Sequence, residues 1–359
     1  MTSEARHSED RTVLQRMTSR LRAPHSLVIA ALVYVLSGCA DTGNDTIVTA
    51  GKTMGTHYSV KAVFPGPIAD ELKAELPVRV KAQLDDVDST FSTWNPSSEL
   101  MRFNGRDAGE SVEVSADFER LFRLAEEVYQ ASEGAFDPTA KALFDLWGFG
   151  AVKQDRAPTT NEVKATLAII GFGNLDIGRT FTKKTPLTAD LSAIAKGFGV
   201  DRVAELLEAS ESVGYMVEVG GEVRTFGRRE GGESWRIGVE APDPEDRRVH
   251  RAIEVGDIAI ATSGDYRNYR EENGKRISHL IDPSTGYPVD HKLASATVFH
   301  AECAVADAWA TAMMVAGPDV GLALAKKWSL PVLFLVKDGD GFREVMSTRL
   351  KETFPKTFN

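Results

Sequence analysis

The chain has 359 residues, 42% hydrophobic and 26% charged, enough to bury a substantial core in one large domain or two average ones. Its net charge of −10 lacks the basic footprint that a general nucleic-acid binder needs, so nucleic acid is excluded as a partner. No low-complexity tract or short-period repeat interrupts it, which sets aside disordered and solenoid classes.

The N-terminus reads as an address. Arg16, Arg20 and Arg22 precede an apolar run from Leu27 to Leu36, followed by Ser37, Gly38 and Cys39. That run is about half the length a helix needs to cross a bilayer, so a secretory signal over residues 1–38 is expected instead. Leu36-Ser37-Gly38-Cys39 resembles the lipobox of bacterial lipoproteins, in which the Cys is lipidated and becomes the first mature residue. The alternative is a buried Cys in a short anchor. Cleavage before Cys39 removes five Arg and three acidic residues and leaves the mature chain near −12. Residues 39–50 then form the lipidated Cys and a polar tether. The other cysteine, Cys303, is left without a partner, so no structural disulfide is expected despite the exported location. Its small apolar neighbours mark a core thiol.

From residue 51 the pattern is globular. Tyr58, Val60 and Ala62 alternate as in a strand. Leu72, Leu76, Val80, Leu84 and Val87 recur every three or four residues, predicting a helix over 69–87 with Pro77 as a point of kinking. Phe118, Leu121, Phe122, Ala125 and Val128 form a second helical stripe. Val200, Val203, Ala204 and Leu207 form a third, opened by Ala195-Lys196-Gly197. Strands are expected at 216–219, 235–239, 252–255, 258–261, 296–299 and 331–336. A helix over 304–315 stops at Gly317-Pro318, and Asp319 is placed to cap a second helix ending near Lys327. One continuous α+β unit over 51–350 is predicted, its mixed sheets and helices forming two lobes around a cleft.

Several segments carry chemistry. Asp307 and Thr311, four apart on a helix, share one face and offer hard oxygens of the kind magnesium takes. The spacing by itself better fits a cap or buried hydrogen bond beside a core Thr. Asp190-Leu-Ser-Ala-Ile-Ala-Lys196-Gly197 joins a carboxylate, a small-residue turn and a lysine at a helix start, an arrangement able to receive phosphate. It lacks the Walker pattern, and a plain strand-to-helix turn with an exposed lysine fits equally well. His279-Leu-Ile-Asp282-Pro-Ser-Thr-Gly286 is a turn whose His is either a base or a polar lid residue. Glu218-Val-Gly220-Gly221 permits close backbone approach or a simple bulge. Gly134-Ala-Phe136-Asp137-Pro138 and Phe91-Ser-Thr-Trp94-Asn95 set aromatic rings beside hydrogen-bonding groups, suited to stacking on a ligand or to core and turn roles.

Taken in order, these segments with Thr53-Met54-Gly-Thr and Ala261-Thr-Ser263-Gly264 resemble the ApbE-type FAD:protein FMN transferases, also called thiamine-biosynthesis lipoproteins. The resemblance runs from about Met54 to Phe334. It implies a flavin-binding cleft between two lobes and a magnesium ion against the FAD pyrophosphate. Asp307 and Thr311 would be side-chain ligands, with backbone oxygens near Ala193 and Ala310. Met54, Trp94, Ala135, Phe136, Asp137, Asp190 and Ile281 match positions lining the FAD site, with Trp94 where Tyr is frequent. Gly220, Gly221, Ser263 and Gly264 would shape the cleft wall. The implied reaction moves FMN from FAD to a Thr or Ser hydroxyl on an acceptor protein and releases AMP. Lys196 and magnesium would offset the charge, and His279 is the candidate base. Implied acceptors are exported or membrane redox subunits with a Ser/Gly/Ala-Thr motif, met at the periplasmic face through the lipid anchor. Two other readings share these residues: a magnesium-dependent FAD pyrophosphatase yielding FMN and AMP, and a non-catalytic flavin- or solute-binding lipoprotein.

Overall fold

The computed structural model describes residues 43–358 apart from 151–153, 155, 244–247, 266–268, 273–274 and 340. The signal segment and Cys39 lie outside these residues. Asp41–Asn359 cluster as one compact unit.

Its centre is an eight-stranded sheet whose strands neighbour one another in chain order, every pair antiparallel. They are β1 (Asp45–Thr53), β2 (Thr56–Phe64), β3 (Gly214–Val219), β4 (Glu222–Gly227), β5 (Ile258–Gly264), β6 (Leu293–His300), β7 (Val332–Asp338) and β8 (Gly341–Met346). Two hairpins close on two-residue turns with both residues at positive φ: Met54-Gly55 (45° and 71°) and Gly220-Gly221 (61° and 105°). That conformation matches the strand twist and is adopted without penalty only by Gly, so Met54 is a strained choice. Part of the segment read as a tether belongs to the sheet. From Asp45 onward it is β1, with Ile47 buried against the core.

Four long helices complete the frame: α1 (Asp70–Phe91), α2 (Ala116–Ala131), α3 (Ser192–Ala209) and α4 (Cys303–Lys327). The predicted stripe of α1 is buried from Leu76 on, with Leu72 half-buried, and the helix runs through Pro77 and on to Phe91, because packing of Leu76, Val80, Leu84 and Val87 outweighs one lost backbone bond. α3 begins at Ser192, so Lys196 stands in its second turn rather than at its start. α4 breaks at Gly317, whose φ of 75° and ψ of 175° are not helical. Pro318 then opens the second segment, where its missing N–H is no loss, and Asp319 falls inside the first turn instead of capping it.

The sheet is covered on both faces. On one side α1, α3 and α4 build two adjoining core clusters, extended by a smaller part around α2 and a three-stranded sheet, in which Phe118 stacks on Phe122 while Phe103 and Phe181 meet Phe122 edge-on. Across the sheet, the hairpin Trp235–Glu240/Val249–Val255 and the C-terminal Leu350 and Phe358 pack on Val223, Ile260, Phe299 and Leu333. Central β6 is therefore buried along all but its last residue.

Candidate active site

Helices α3 and α4 meet where side chains are smallest. A Cβ on Gly197 would stand 2.4 Å from the carbonyl oxygen of Cys303, so only glycine allows this contact. Asp201, one turn further along α3, caps the start of α4 by accepting the N–H groups of Cys303 (3.0 Å) and Ala304 (2.9 Å), and Arg224 donates to it at 2.7 Å. One turn into α4, Asp307 is 2% exposed, and its Oδ2 accepts the N–H of Gly197 at 3.1 Å. Cys303 is fully buried at this crossing, as its neighbours indicated, and burial pushes its thiol well above the usual range.

Lys196 Nζ lies 3.4 Å from Asp307 Oδ2 and 3.5 Å from Glu222 Oε1. Burial works against the ammonium charge, but Asp307 and Glu222 outweigh it and keep Lys196 protonated well above the lysine range. One ammonium facing two buried carboxylates leaves a net negative charge unless one carboxyl holds a proton. Glu222 is that group: it is 3% exposed, its Oε2 has no hydrogen-bond partner among the described residues, and burial pushes it up to about 8 against the pull of Lys196.

Above this centre opens a cleft of about 410 Å³, within the range of small-molecule sites. Ala135, Phe136, Asp137, Lys141 and Phe144 form one wall, and Ser263, Gly264, His279, Leu280 and Ile281 the other. Asp190 just before α3, Ala193 and Lys196 in its first two turns, and Thr311 on α4 complete the lining. Asp190 Oδ1 accepts the N–H of Ser192 at 2.8 Å, and Thr311 Oγ1 lies 3.0 Å from Ser263 Oγ. Asp137 is shifted up by burial, against two bonds from Thr139 at 2.9 and 2.6 Å. Asn104 clamps the segment leading into α3, donating to the Ala189 carbonyl and accepting its N–H, both at 2.8 Å.

Of the residues singled out in the sequence, Ala135, Phe136, Asp137, Asp190, Ala193, Lys196, His279, Ile281 and Thr311 share this cleft. Asp307 lies beside Lys196, and Ala310 is buried on the same helix. Ser263 and Gly264 form cleft wall as expected, whereas Gly220 sits behind Lys196, where a Cβ would stand 3.2 Å from its Cδ. Met54 and Trp94 are not among the lining residues. The tight turn points the Met54 side chain inward onto α1 and α3, between two core clusters. Trp94 is 86% exposed on a loop whose bonds are made by its polar neighbours, with Ser92 Oγ accepting from Trp94 and Asn95 N–H. Glu222 escaped the sequence reading although it directly follows the Gly220-Gly221 turn. A charged residue opening a strand that alternates with buried Val223 and Thr225 was the available signal.

Fold and cleft define an α+β protein in which an ammonium–dicarboxylate centre reaches a ligand-sized cavity through Lys196. The ApbE family model matches residues 54–334. The chain is 42% identical over 333 residues to the FAD:protein FMN transferase of Vibrio cholerae, covering 92% of this chain and 99% of that one. To the Escherichia coli FAD:protein FMN transferase it is 35% identical over 340 residues, 91% and 95% of the two chains. Among solved structures it resembles flavin transferase ApbE from Vibrio cholerae, with a TM-score of 0.77, 41% identity and coverage of 86% and 99%. Pseudomonas stutzeri flavinyl transferase ApbE in its apo form is similar too, with a TM-score of 0.79, 36% identity and coverage of 87% and 98%. The chain belongs to the ApbE family.

Proposed function

We propose that this protein is a magnesium-dependent FAD:protein FMN transferase, moving the FMN half of FAD to a Thr or Ser hydroxyl of an acceptor protein and releasing AMP. The observation that carries the reading is that Lys196 and Thr311, from two helices far apart in sequence, line one cleft while Asp307 lies 3.4 Å behind Lys196, in a chain of this family.

The donor set suits a hard cation. Asp307 and Thr311 supply a carboxylate and a hydroxyl, and the N–H of Gly197 on α3 fixes the Asp307 carboxylate by donating to its Oδ2 at 3.1 Å. Carbonyl oxygens of Ala193 and Ala310 would complete the protein's share. The donors on offer here, a carboxylate, a hydroxyl and backbone carbonyls, are all oxygens, as magnesium prefers over zinc. When bound, the ion would supply positive charge to the pyrophosphate and the leaving AMP.

The protein's own groups do the rest. Lys196 offsets charge on the phosphates, and the apolar Phe136, Phe144 and Ile281 exclude water from the cleft. The acceptor hydroxyl oxygen bonds to the flavin-side phosphorus as the bond from that phosphorus to the AMP oxygen breaks. His279 takes the hydroxyl proton. Such chemistry needs mainly positioning and charge stabilisation.

Residues 1–38 as an export signal and Cys39 as the lipid-bearing residue place the enzyme at the periplasmic membrane face. Only residues 40–44 separate Cys39 from β1, a reach of at most about 22 Å, which holds the catalytic unit close to membrane-bound redox subunits carrying a Ser/Gly/Ala-Thr motif. A Cys39→Ser protein that stays with the membrane fraction would remove the anchor from this reading.

The decisive experiment incubates purified protein with FAD, magnesium and an acceptor domain, and reads covalent FMN by mass spectrometry and AMP by chromatography. Matched yields are expected. Free FMN without adduct would make the protein a hydrolase, and bound FAD without AMP a passive binder.

A further inference from the structure

Beside His279, just outside the cleft lining, stands a carboxylate, Asp265. β5 ends at Gly264, but the sheet holds the next residue as well: Asp265 donates its N–H to the Ala294 carbonyl at 3.1 Å. The Asp265 side chain is 17% exposed. Its Oδ1 accepts the hydroxyl of buried Ser278 at 2.8 Å and lies 3.4 Å from His279 Nδ1. Ser278 Oγ in turn accepts the N–H of Leu280 at 3.0 Å, so the residues on either side of His279 are tied to the same point. Phe149 packs edge-on to the imidazole, with ring centroids 6.4 Å apart.

We propose that Asp265 is a positioning residue for the transfer reaction: it holds the His279 ring by Nδ1 and leaves Nε2 to take the proton of the acceptor hydroxyl. This rests on the reading of His279 as the proton acceptor. An ionised carboxylate only accepts hydrogen bonds, so contact with Nδ1 selects the tautomer with its proton there and the basic lone pair on Nε2. As the hydroxyl proton arrives at Nε2 and the phosphorus–oxygen bond to AMP breaks, the imidazolium charge forms beside Asp265, which stabilises it. The proton then leaves to water and restores the neutral ring. A separation of 3.4 Å is long for a hydrogen bond, as catalytic pairs commonly are before substrate binds. Ser278 adds the constraint that fixes the carboxylate: with one hydroxyl on Oδ1 and the backbone tied to β6, Asp265 has little freedom to follow a rotating ring. The arrangement repeats in other residues the orienting role that a buried carboxylate plays for a catalytic histidine elsewhere.

The test compares wild type, Asp265→Asn, Asp265→Ala and His279→Ala in steady-state transfer from FAD to an acceptor domain, together with ¹⁵N spectra of the histidine-labelled full-length protein. Asp265→Asn keeps side-chain volume and is the informative variant where Asp265→Ala fails to fold. Its kcat is expected to fall by about tenfold or more while KM for FAD stays within about threefold, the pattern of an interaction made only in the transition state. The His279 resonances should shift from the Nδ1-protonated form toward the Nε2-protonated one, which a purely structural role for Asp265 would not produce. Asp265→Asn with wild-type kcat beside a slow His279→Ala, or with an unchanged tautomer, would overturn this proposal and leave the proton-acceptor reading standing. A fully active His279→Ala would instead remove that reading, and Asp265's role with it.

Discussion

Gly197 donates its backbone N–H to Oδ2 of Asp307 at 3.1 Å, across 110 residues of sequence and between two different helices. This single bond joins the first two turns of α3, which supply Ala193 and Lys196 to the cleft, to the helix that supplies Thr311. The charge arrangement at the cleft floor depends on how closely those helices approach.

Gly197→Ala tests that approach directly. The new Cβ would meet Cys303 backbone at 2.4 Å, and backbone cannot rotate away as a flexible side chain can. We expect destabilisation of about 1–3 kcal/mol from overpacking, read by denaturant unfolding, together with slower AMP release. A variant as stable as wild type would show that the helices are not locked at this distance.

Asp307→Asn keeps the size of the side chain and an acceptor for the Gly197 N–H but removes the charge. AMP release should fall by about 10² or more, and the magnesium concentration for half-maximal rate should rise. Metal-free melting should change little. Unaltered magnesium dependence would dissociate Asp307 from the cation.

Asn104→Ala removes both bonds to Ala189 and leaves two backbone groups without partners, at a cost of about 1–3 kcal/mol. Because that segment leads into Asp190 and the start of α3, KM for FAD is expected to rise as well. Loss of stability with an unchanged KM would confine Asn104 to a folding role.

Glu222 supplies a pH signature. Burial raises its carboxyl from 4.5 to about 8, so the folded protein binds that proton more tightly than the unfolded chain. Stability contributed by the protonated form is therefore fully present below 4.5 and is lost as pH rises toward 8. In chelator, the melting temperature of wild type should fall relative to Glu222→Gln across this window. A constant difference between the two proteins would mean that Glu222 is ionised throughout.

Local pattern made much of the frame legible. The stripes Leu76–Val87 and Phe118–Val128 are buried as their spacing requires, and the Gly220-Gly221 pair turns a hairpin. Asp307 and Thr311 share a helix because their separation of four allows nothing else on an α-helical segment. The family motifs also named most of the cleft, since each is a short contiguous run.

Other facts have no local trace. Whether Met54 points into the cleft or the core depends on a left-handed turn and on Gly199, which stands beside its side chain. Trp94 carries the same ring whether it stacks on a ligand or stands in solvent. That Glu222 faces Lys196 and Asp265 faces His279 became visible only when β4 and the residue after β5 took their places in the sheet. Periodicity and turn chemistry act over a few residues, so the amino-acid order by itself determined the helices, the hairpins and the chemical types on offer. Which carboxylate faces which cation was decided by the packing of α3 on α4 and by the order of the strands, because electrostatics and burial act through space between residues far apart along the chain.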